Sequence, residues 1–356
     1  MNLILVKPSE HDHSTIDGST INLPPNDERT KHIIHHLKKS TGDEVSIGII
    51  NSNGGYKCKA IVHLLPPQHQ QQQTNNDHDN GSNSNSGGGI RLVPKIDTII
   101  QSSPKLPEIT LLLAMPFPAR LKYLWPVISS FVAVTRIIIV KGSLSNPEFI
   151  QSKVLQPEVY EPMIIKGMSQ GCCVRPVKVD VCLDYENNDE SMLQILQRLG
   201  LVCNNNNNKK KKSDDNTTVH KNDNTARIFL DCGDEDETPP PIRDVIIEQL
   251  SRCHGSERND DDDDNDDDTT TLPYPPPRAI LAIGPERGWT EDEAKMFVND
   301  CGFKSATLGS SILRVDTAVV SSLGIVSSVL DEVCSMNKQN ESSDRDCKKR
   351  RKGQDS

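Results

Sequence analysis

The chain has 356 residues, a formal net charge of −10 and ten cysteines, with only 4% aromatic residues. That length has room for two domains, while cysteines without a Cys-x-x-Cys pair leave no spaced zinc site and read as free thiols in a reducing compartment. No apolar run reaches membrane-spanning length, Leu3 to Val6 is too short for a signal-peptide core, and no Arg- and Ser-rich leader precedes it, so a cytoplasmic, membrane-free protein is expected.

In chain order, residues 1–104 predict a small β domain. Asn2 to Val6 is a strand. Arg29 to Lys39 is a short helix with Ile33, Ile34 and Leu37 at helical spacing. Glu44 to Ile50 and Tyr56 to Leu65 form a hairpin around Asn53-Gly54-Gly55. Residues 68–89, rich in Gln, Asn, Ser and Gly, are read as a disordered insert. Ile90 to Val93 resumes the sheet, because loop-closure entropy grows slowly with loop length.

Residues 105–336 predict an α/β domain with a mostly parallel sheet, because apolar strands alternate with helices. The strands are Glu108 to Ala114, Arg136 to Val140, Arg175 to Asp180, Ala226 to Asp231, Ala279 to Ile283 and Ser305 to Leu308. The helices are Arg120 to Val132, residues 147–171 broken at Pro157 and Pro162, Glu190 to Gly200, and Ile242 to Cys253. Two further inserts, 204–224 and 255–271, are read as disordered, as is the basic tail 337–356 ending in KKRRK. That motif also leaves a nuclear or organellar site open. Thirteen of the 50 acidic residues lie in 234–237 and 257–268; without them 37 acidic face 40 basic residues, a balance of about +3 that suits an RNA partner.

Residues 279–333 carry the most information. Gly284-Pro285 ends a buried strand, Thr290 and Glu293 form a capping box, and Gly302 closes that helix. Leu308-Gly309 opens a second loop, SSILR. The last helix starts at Val315 or Asp316, with Val319, Val320, Leu323, Val326 and Leu330 on its apolar face. Two glycine loops leaving the same ends of neighbouring parallel strands make a ligand crevice. GPERG is neither a Walker loop nor GxGxxG, so nucleotide cofactors have no positive support.

The paired loops GPERGW and LGSSILR resemble the SPOUT methyltransferases, and within them the RsmE-type rRNA uridine-N3 methyltransferases. The matching residues are Gly284, Pro285, Glu286, Gly288, Trp289, Glu291, Glu293, Leu308, Gly309, Ile312, Leu313, Arg314 and Thr317, with Asp316 where the family usually has Glu. Upstream, NLILV, His32, Leu37-Lys38, Gly42-Asp43 and the NSNGGYKCKA hairpin resemble the family's PUA-like RNA-binding β-barrel. Lys38 stands where Arg is usual. Gly167 and Gln170 match part of G-L-E-Q, with Ser169 in place of Glu and Gly171, Cys172 and Cys173 following.

This resemblance implies a C-terminal SPOUT domain with a trefoil knot, S-adenosylmethionine as methyl donor, no metal, and a homodimer. The substrate implied is N3 of a uridine in small-subunit ribosomal RNA. It assigns Ile283, Gly284, Pro285, Gly288, Leu308, Gly309, Ile312 and Leu313 to the cofactor. Arg314 and Glu286 are the catalytic candidates. Arg314 either holds phosphate or uracil carbonyls, or pairs with Asp316 or Glu286. Glu286 is either a general base or, the favoured reading, an acceptor for backbone N–H groups. Arg29, His32, Lys38, Lys39 and Gln170 are candidate RNA contacts. Two rival functions stand beside this one: a SPOUT enzyme for another RNA base or tRNA, and an RNA-binding protein without catalysis.

Overall fold

The computed structural model describes residues 3–7, 10, 20–51, 55–66, 88–101, 106–183, 191–203, 224–231, 233, 238–252 and 275–352, with side chains through Asn337. The three low-complexity inserts lie outside the described residues, apart from Gly88, Gly89 and Asn224. So do Asn53 and Gly54 of the expected turn. The chain divides into two compact units, residues 1–104 with 168–176, and residues 105–167 with 177–356. The expected single boundary at 104 therefore misses a short return, in which Met168–Pro176 belongs to the first unit.

The first unit holds β1 (Ile4–Val6), β2 (Ile21–Leu23), α1 (Glu28–Lys31), β3 (Glu44–Ile49), β4 (Tyr56–Leu64), β5 (Ile90–Pro94) and β6 (Ile100–Gln101). The sheet order is β1-β3-β4-β5-β2, with β6 on β4. Only the β1–β3 pair is parallel; the hairpin of β3 and β4 pairs Ile49 with Tyr56. Alternation in β4 buries Cys58, Ala60 and Val62, which pack with Ile47, Ile33 and Leu92 in one core. The predicted helix 29–39 is shorter than its apolar spacing implied. After α1 it becomes a π-turn, His32–His36, and Lys38 takes φ +51°.

The returning segment explains a glycine. A Cβ on Gly48 would come within 2.4 Å of Leu3 and 2.6 Å of Val174, so only glycine lets β3 lie beneath them. Ser169 donates its hydroxyl to the Leu3 carbonyl at 2.5 Å, and the Ser169 carbonyl accepts the Leu3 N–H at 3.2 Å.

The second unit holds β7 (Glu108–Ala114), α2 (Pro118–Ser129), β8 (Val134–Val140), α3 (Pro157–Gln170), β9 (Lys178–Cys182), α4 (Met192–Arg198), β10 (Thr225–Leu230), α5 (Ile242–Arg252), β11 (Arg278–Ile283), α6 (Glu291–Lys295), β12 (Lys304–Ala306) and α7 (Val315–Lys352); the last three residues of α3 cluster with the first unit. All its strand pairs are parallel, in the order β12-β10-β11-β7-β8-β9. Both faces are covered, which is why β7, β8 and β11 read as continuous apolar runs. On one face Leu112, Ile138 and Ala282 pack with Leu196, Phe297 and Phe303. On the other, α7 contacts β11, α2 and α5.

Three expectations change here. Pro157 begins α3, but Pro162 sits inside that helix without ending it. The Arg175 to Asp180 strand lies later, as β9, because residues 168–176 join the other unit. The tail read as disordered from 337 instead continues α7 to Lys352. No Gly or Pro lies between Ile325 and Lys352 to stop it, and Lys, Gln, Glu and Arg propagate a helix already nucleated by its buried half. Residues 315–337 of α7 are long and apolar enough, by length and composition, to cross a membrane. Here Val319, Leu323, Val326 and Leu330 are fully buried in the core of the unit.

Candidate functional site

The loops after β11 and β12 face one cavity of about 370 Å³. The strands they leave are not neighbours, contrary to expectation: β10 lies between β11 and β12. Its C-terminal end therefore joins the site, and Leu230 and Asp231 line the cavity with the two loops.

Backbone geometry builds the walls. Gly284 has Gly288 and Trp289 packed so close that a Cβ would sit 3.2 Å from each. Gly288 has φ +76° and Gly309 φ +121°, conformations that suit glycine. Thr307 locks the second loop: its hydroxyl accepts the Gly309 N–H at 3.2 Å and donates to the Gly309 carbonyl at 2.9 Å. Below it, Thr307 is clamped by Pro240 and Ile242 through two backbone bonds. Trp289 packs on Phe229 and Phe297, and its indole N–H lies buried with no acceptor among the described residues. The capping box holds: Glu293 accepts from Thr290 and also takes the Ser143 N–H at 2.7 Å, tying α6 to the loop after β8.

All eight residues assigned to the cofactor line this cavity: Ile283, Gly284, Pro285, Gly288, Leu308, Gly309, Ile312 and Leu313. Glu286 lines it too, but its carboxylate is engaged. It accepts the Phe117 N–H and the Arg120 guanidinium, each at 2.9 Å. Arg314 does not line the cavity. It is 66% exposed, lies 3.3 Å from Asp316, and faces a second depression of about 450 Å³ with Phe117, Ala119, Arg120, Tyr123 and Asp316. Sequence reasoning missed Asp231 and the aromatic side of that depression. The FLDCG run after a buried strand was the available signal for Asp231, obscured by the inserts between it and GPERG. Among the described residues no group of three His, Cys, Asp or Glu is placed to hold a metal.

In the first unit, one candidate RNA contact must be corrected. The Arg29 guanidinium donates from all five of its N–H positions: Nε to Asp27 at 3.0 Å, Nη1 to the Leu5 carbonyl and to Glu10, and Nη2 to Glu10 and Asp27. No donor is left for phosphate, so Arg29 is a structural arginine. Lys38 and Gln170 are exposed, and Lys39 is half-buried. His32 stacks loosely on His36, with ring centroids 5.4 Å apart, and its Nε2 is buried without a partner among the described residues. Burial pushes the Cys173 thiol up and the Cys58 thiol to about 11, so both stay protonated near neutrality.

Residues 257–327 match the family model of the RNA methyltransferase domain. That stretch contains β11, α6, β12, both loops and the start of α7. No curated protein matches the chain. Among solved structures, a probable rRNA-methyltransferase from Porphyromonas gingivalis is similar at 12% identity and TM-score 0.53, covering 93% of this chain and 99% of that one. The ribosomal RNA small subunit methyltransferase E from Neisseria gonorrhoeae, bound to S-adenosyl methionine, is similar at 15% identity and TM-score 0.50, covering 92% and 98%. A Legionella pneumophila protein in complex with SAM gives 15% identity and TM-score 0.51 over 92% and 98%. At these identities the likeness is one of fold.

Proposed function

We propose that the protein is an S-adenosylmethionine-dependent RNA methyltransferase that modifies N3 of a uridine in small-subunit ribosomal RNA. The observation that carries this reading is the cavity at the carboxyl ends of β10, β11 and β12, walled by the two glycine loops. It fits a methyl donor in three respects. Its volume falls within the range of small-molecule sites. Gly284 lets the first loop close tightly on itself, because a Cβ there would meet Gly288 and Trp289 at 3.2 Å. Its lining combines aliphatic side chains, such as Leu308 and Leu313, with the polar Asp231, Thr307 and Ser311. The family-model match over these loops and the fold shared with structures solved with the methyl donor support the same reading.

When bound, the donor supplies an already activated methyl group on a sulfonium. The chain's own work is then positioning and exclusion of water. The glycine loops present backbone N–H and C=O groups that side chains elsewhere would cover. Glu286 holds the first loop against α2 and is a positioning residue in this scheme. Arg314, at the far side of the second loop, holds phosphate or a uracil carbonyl. The first unit supplies a PUA-like RNA grip, with Lys38, Lys39, Gln170 and His32 as its contacts. In the same reading the second unit is a trefoil-knotted SPOUT domain and the working unit is a cytoplasmic homodimer.

Titration calorimetry with S-adenosylmethionine tests the cavity, and absence of binding ends the enzyme reading. Mass spectrometry of rRNA from a deletion strain tests the substrate. Loss of one N3-methyluridine supports the proposal. Unchanged rRNA with altered tRNA transfers the activity to tRNA.

A further inference from the structure

The depression beside Arg314 has a composition of its own. Phe117 stands just before α2, and Arg120 and Tyr123 follow on the same helix, three positions apart and so on one face. Arg314 and Asp316 close the other side. Both aromatic rings are open to solvent: Phe117 is 48% and Tyr123 60% exposed. Phe117 is braced edge-on by Phe149, with centroids 5.3 Å apart, which fixes one edge of the ring and leaves the rest free. Large exposed aromatics on a helix otherwise packed into a core need an explanation. Two aromatic faces beside two guanidinium groups suit a planar ring attached to a phosphate, because stacking and charge pairing act on different parts of the same nucleotide.

The polar groups narrow the ring. Arg120 and Arg314 offer donors only, and Asp316 offers an acceptor. Asp316 Oδ1 is buried with no hydrogen-bond partner among the described residues, although Arg314 lies 3.3 Å away. Uracil has a carbonyl on each side of N3, and a guanidinium donor can hold one of them while N3 itself stays open to the methyl donor. Cytosine has an amino group in place of one of these carbonyls, which would set donor against donor. The same loop that lines the first cavity with Ile312 and Leu313 lines this depression with Arg314. Glu286 likewise joins the two, lining the cavity while bonding Arg120.

We propose that this depression receives the target nucleoside of single-stranded RNA, with Tyr123 and Phe117 stacking on the base and Arg120 setting its identity through a ring carbonyl. The proposal rests on the methyltransferase reading above and names the residues that choose its substrate. It places base recognition on α2, outside both glycine loops.

The test uses the full chain and its Tyr123→Ala and Tyr123→Phe variants, with short oligouridylate and oligocytidylate of equal length as probes. The wild type binds oligouridylate more tightly than oligocytidylate. Tyr123→Ala weakens oligouridylate binding by about tenfold, the scale of one lost base stack. Tyr123→Phe restores it, and calorimetric affinity for S-adenosylmethionine stays at the wild-type value in both. In methyl transfer the loss appears in KM for RNA. If the wild type transfers no methyl group yet its RNA binding follows Tyr123 in this way, the base site stands and the methyltransferase reading falls. The proposal is overturned if the wild type binds neither probe, if Tyr123→Ala binds RNA as the wild type does, or if that variant changes only the sedimentation of the protein, which would make the depression a contact between copies.

Discussion

The carboxylate of Glu286 stands 2.9 Å from the Arg120 guanidinium, a bond that joins the loop after β11 to α2 across 166 positions of sequence. The same oxygen accepts the Phe117 N–H at the start of α2. An acceptor with two such donors is oriented and occupied, unlike a base left open to a substrate proton. Glu286→Gln, which keeps an acceptor for Phe117, should retain methyl transfer within about tenfold, well short of the loss expected for a missing general base. Glu286→Ala should cost about 1 kcal/mol of stability, a figure kept small because both partners are partly exposed. Single-turnover rates and denaturation midpoints of the two variants check this; a dead Glu286→Gln with native stability would restore the base.

Arg29 carries the clearest pH signature. Its hydrogen bond is the main cause that lowers the Asp27 pKa below its ordinary 3.8, and burial opposes the shift without cancelling it. For Glu10, burial favours the neutral form but is outweighed by bonds from Arg29 and the Lys7 N–H, so its pKa also falls below 4.5. Depressed folded-state values mean that the unfolded chain takes up these protons first on acidification. The stabilisation is therefore complete above the ordinary values of 3.8 and 4.5 and is lost as pH falls through the lower folded ones. Arg29→Lys, with no fork of donors, should cost about 1–3 kcal/mol and flatten this acid dependence. Hydrogen exchange at β1 and β3, followed across the acid range, reads both effects. Unchanged exchange would return Arg29 to the list of RNA contacts.

The strands of the parallel sheet were legible because burial on both faces writes them as apolar runs, as at Leu111 to Ala114 and Ile280 to Ile283. The capping box at Thr290 and Glu293 was legible because both halves are local. What could not be read was order in space. Nothing in the sequence says that β10 lies between β11 and β12, and so Asp231 was missed. Nor does composition say whether a charged residue is spent inside the fold. Arg29 looks like a surface cation until Glu10, Asp27 and Leu5 are brought around it. Ser169, a departure from the family pattern, turns out to bond Leu3 within the first unit.

Gly309 offers a test of the second loop. At φ +121° an L-residue is strained even though the space around it is open. Gly309→Ala should cost about 1–3 kcal/mol locally, and the strain should release the Thr307 clamp and weaken S-adenosylmethionine binding by about tenfold or more. Gly324 in α7 is the control. It also has open space but no positive φ, so Gly324→Ala should stabilise the helix by about 0.5–1 kcal/mol and leave binding alone. Calorimetry and thermal melts of the pair separate loop geometry from general loss of stability.

Arg314 divides cofactor binding from transfer. It is 66% exposed and pairs with Asp316 at 3.3 Å, a surface pair that adds little to folding. It faces the second depression, while its neighbours Ile312 and Leu313 line the first cavity. Arg314→Ala should therefore leave S-adenosylmethionine affinity within about threefold while lowering transfer by about a hundredfold, the usual scale for a donor aimed at developing charge. Arg314→Lys keeps the charge but not the fork, and should recover only part of the rate. A merely structural pair with Asp316 predicts the reverse pattern, with Asp316→Asn and Arg314→Ala alike in stability and neither affecting transfer. Measuring calorimetric affinity and single-turnover rate on the same preparations distinguishes the two, and full activity in Arg314→Ala would remove it from the site.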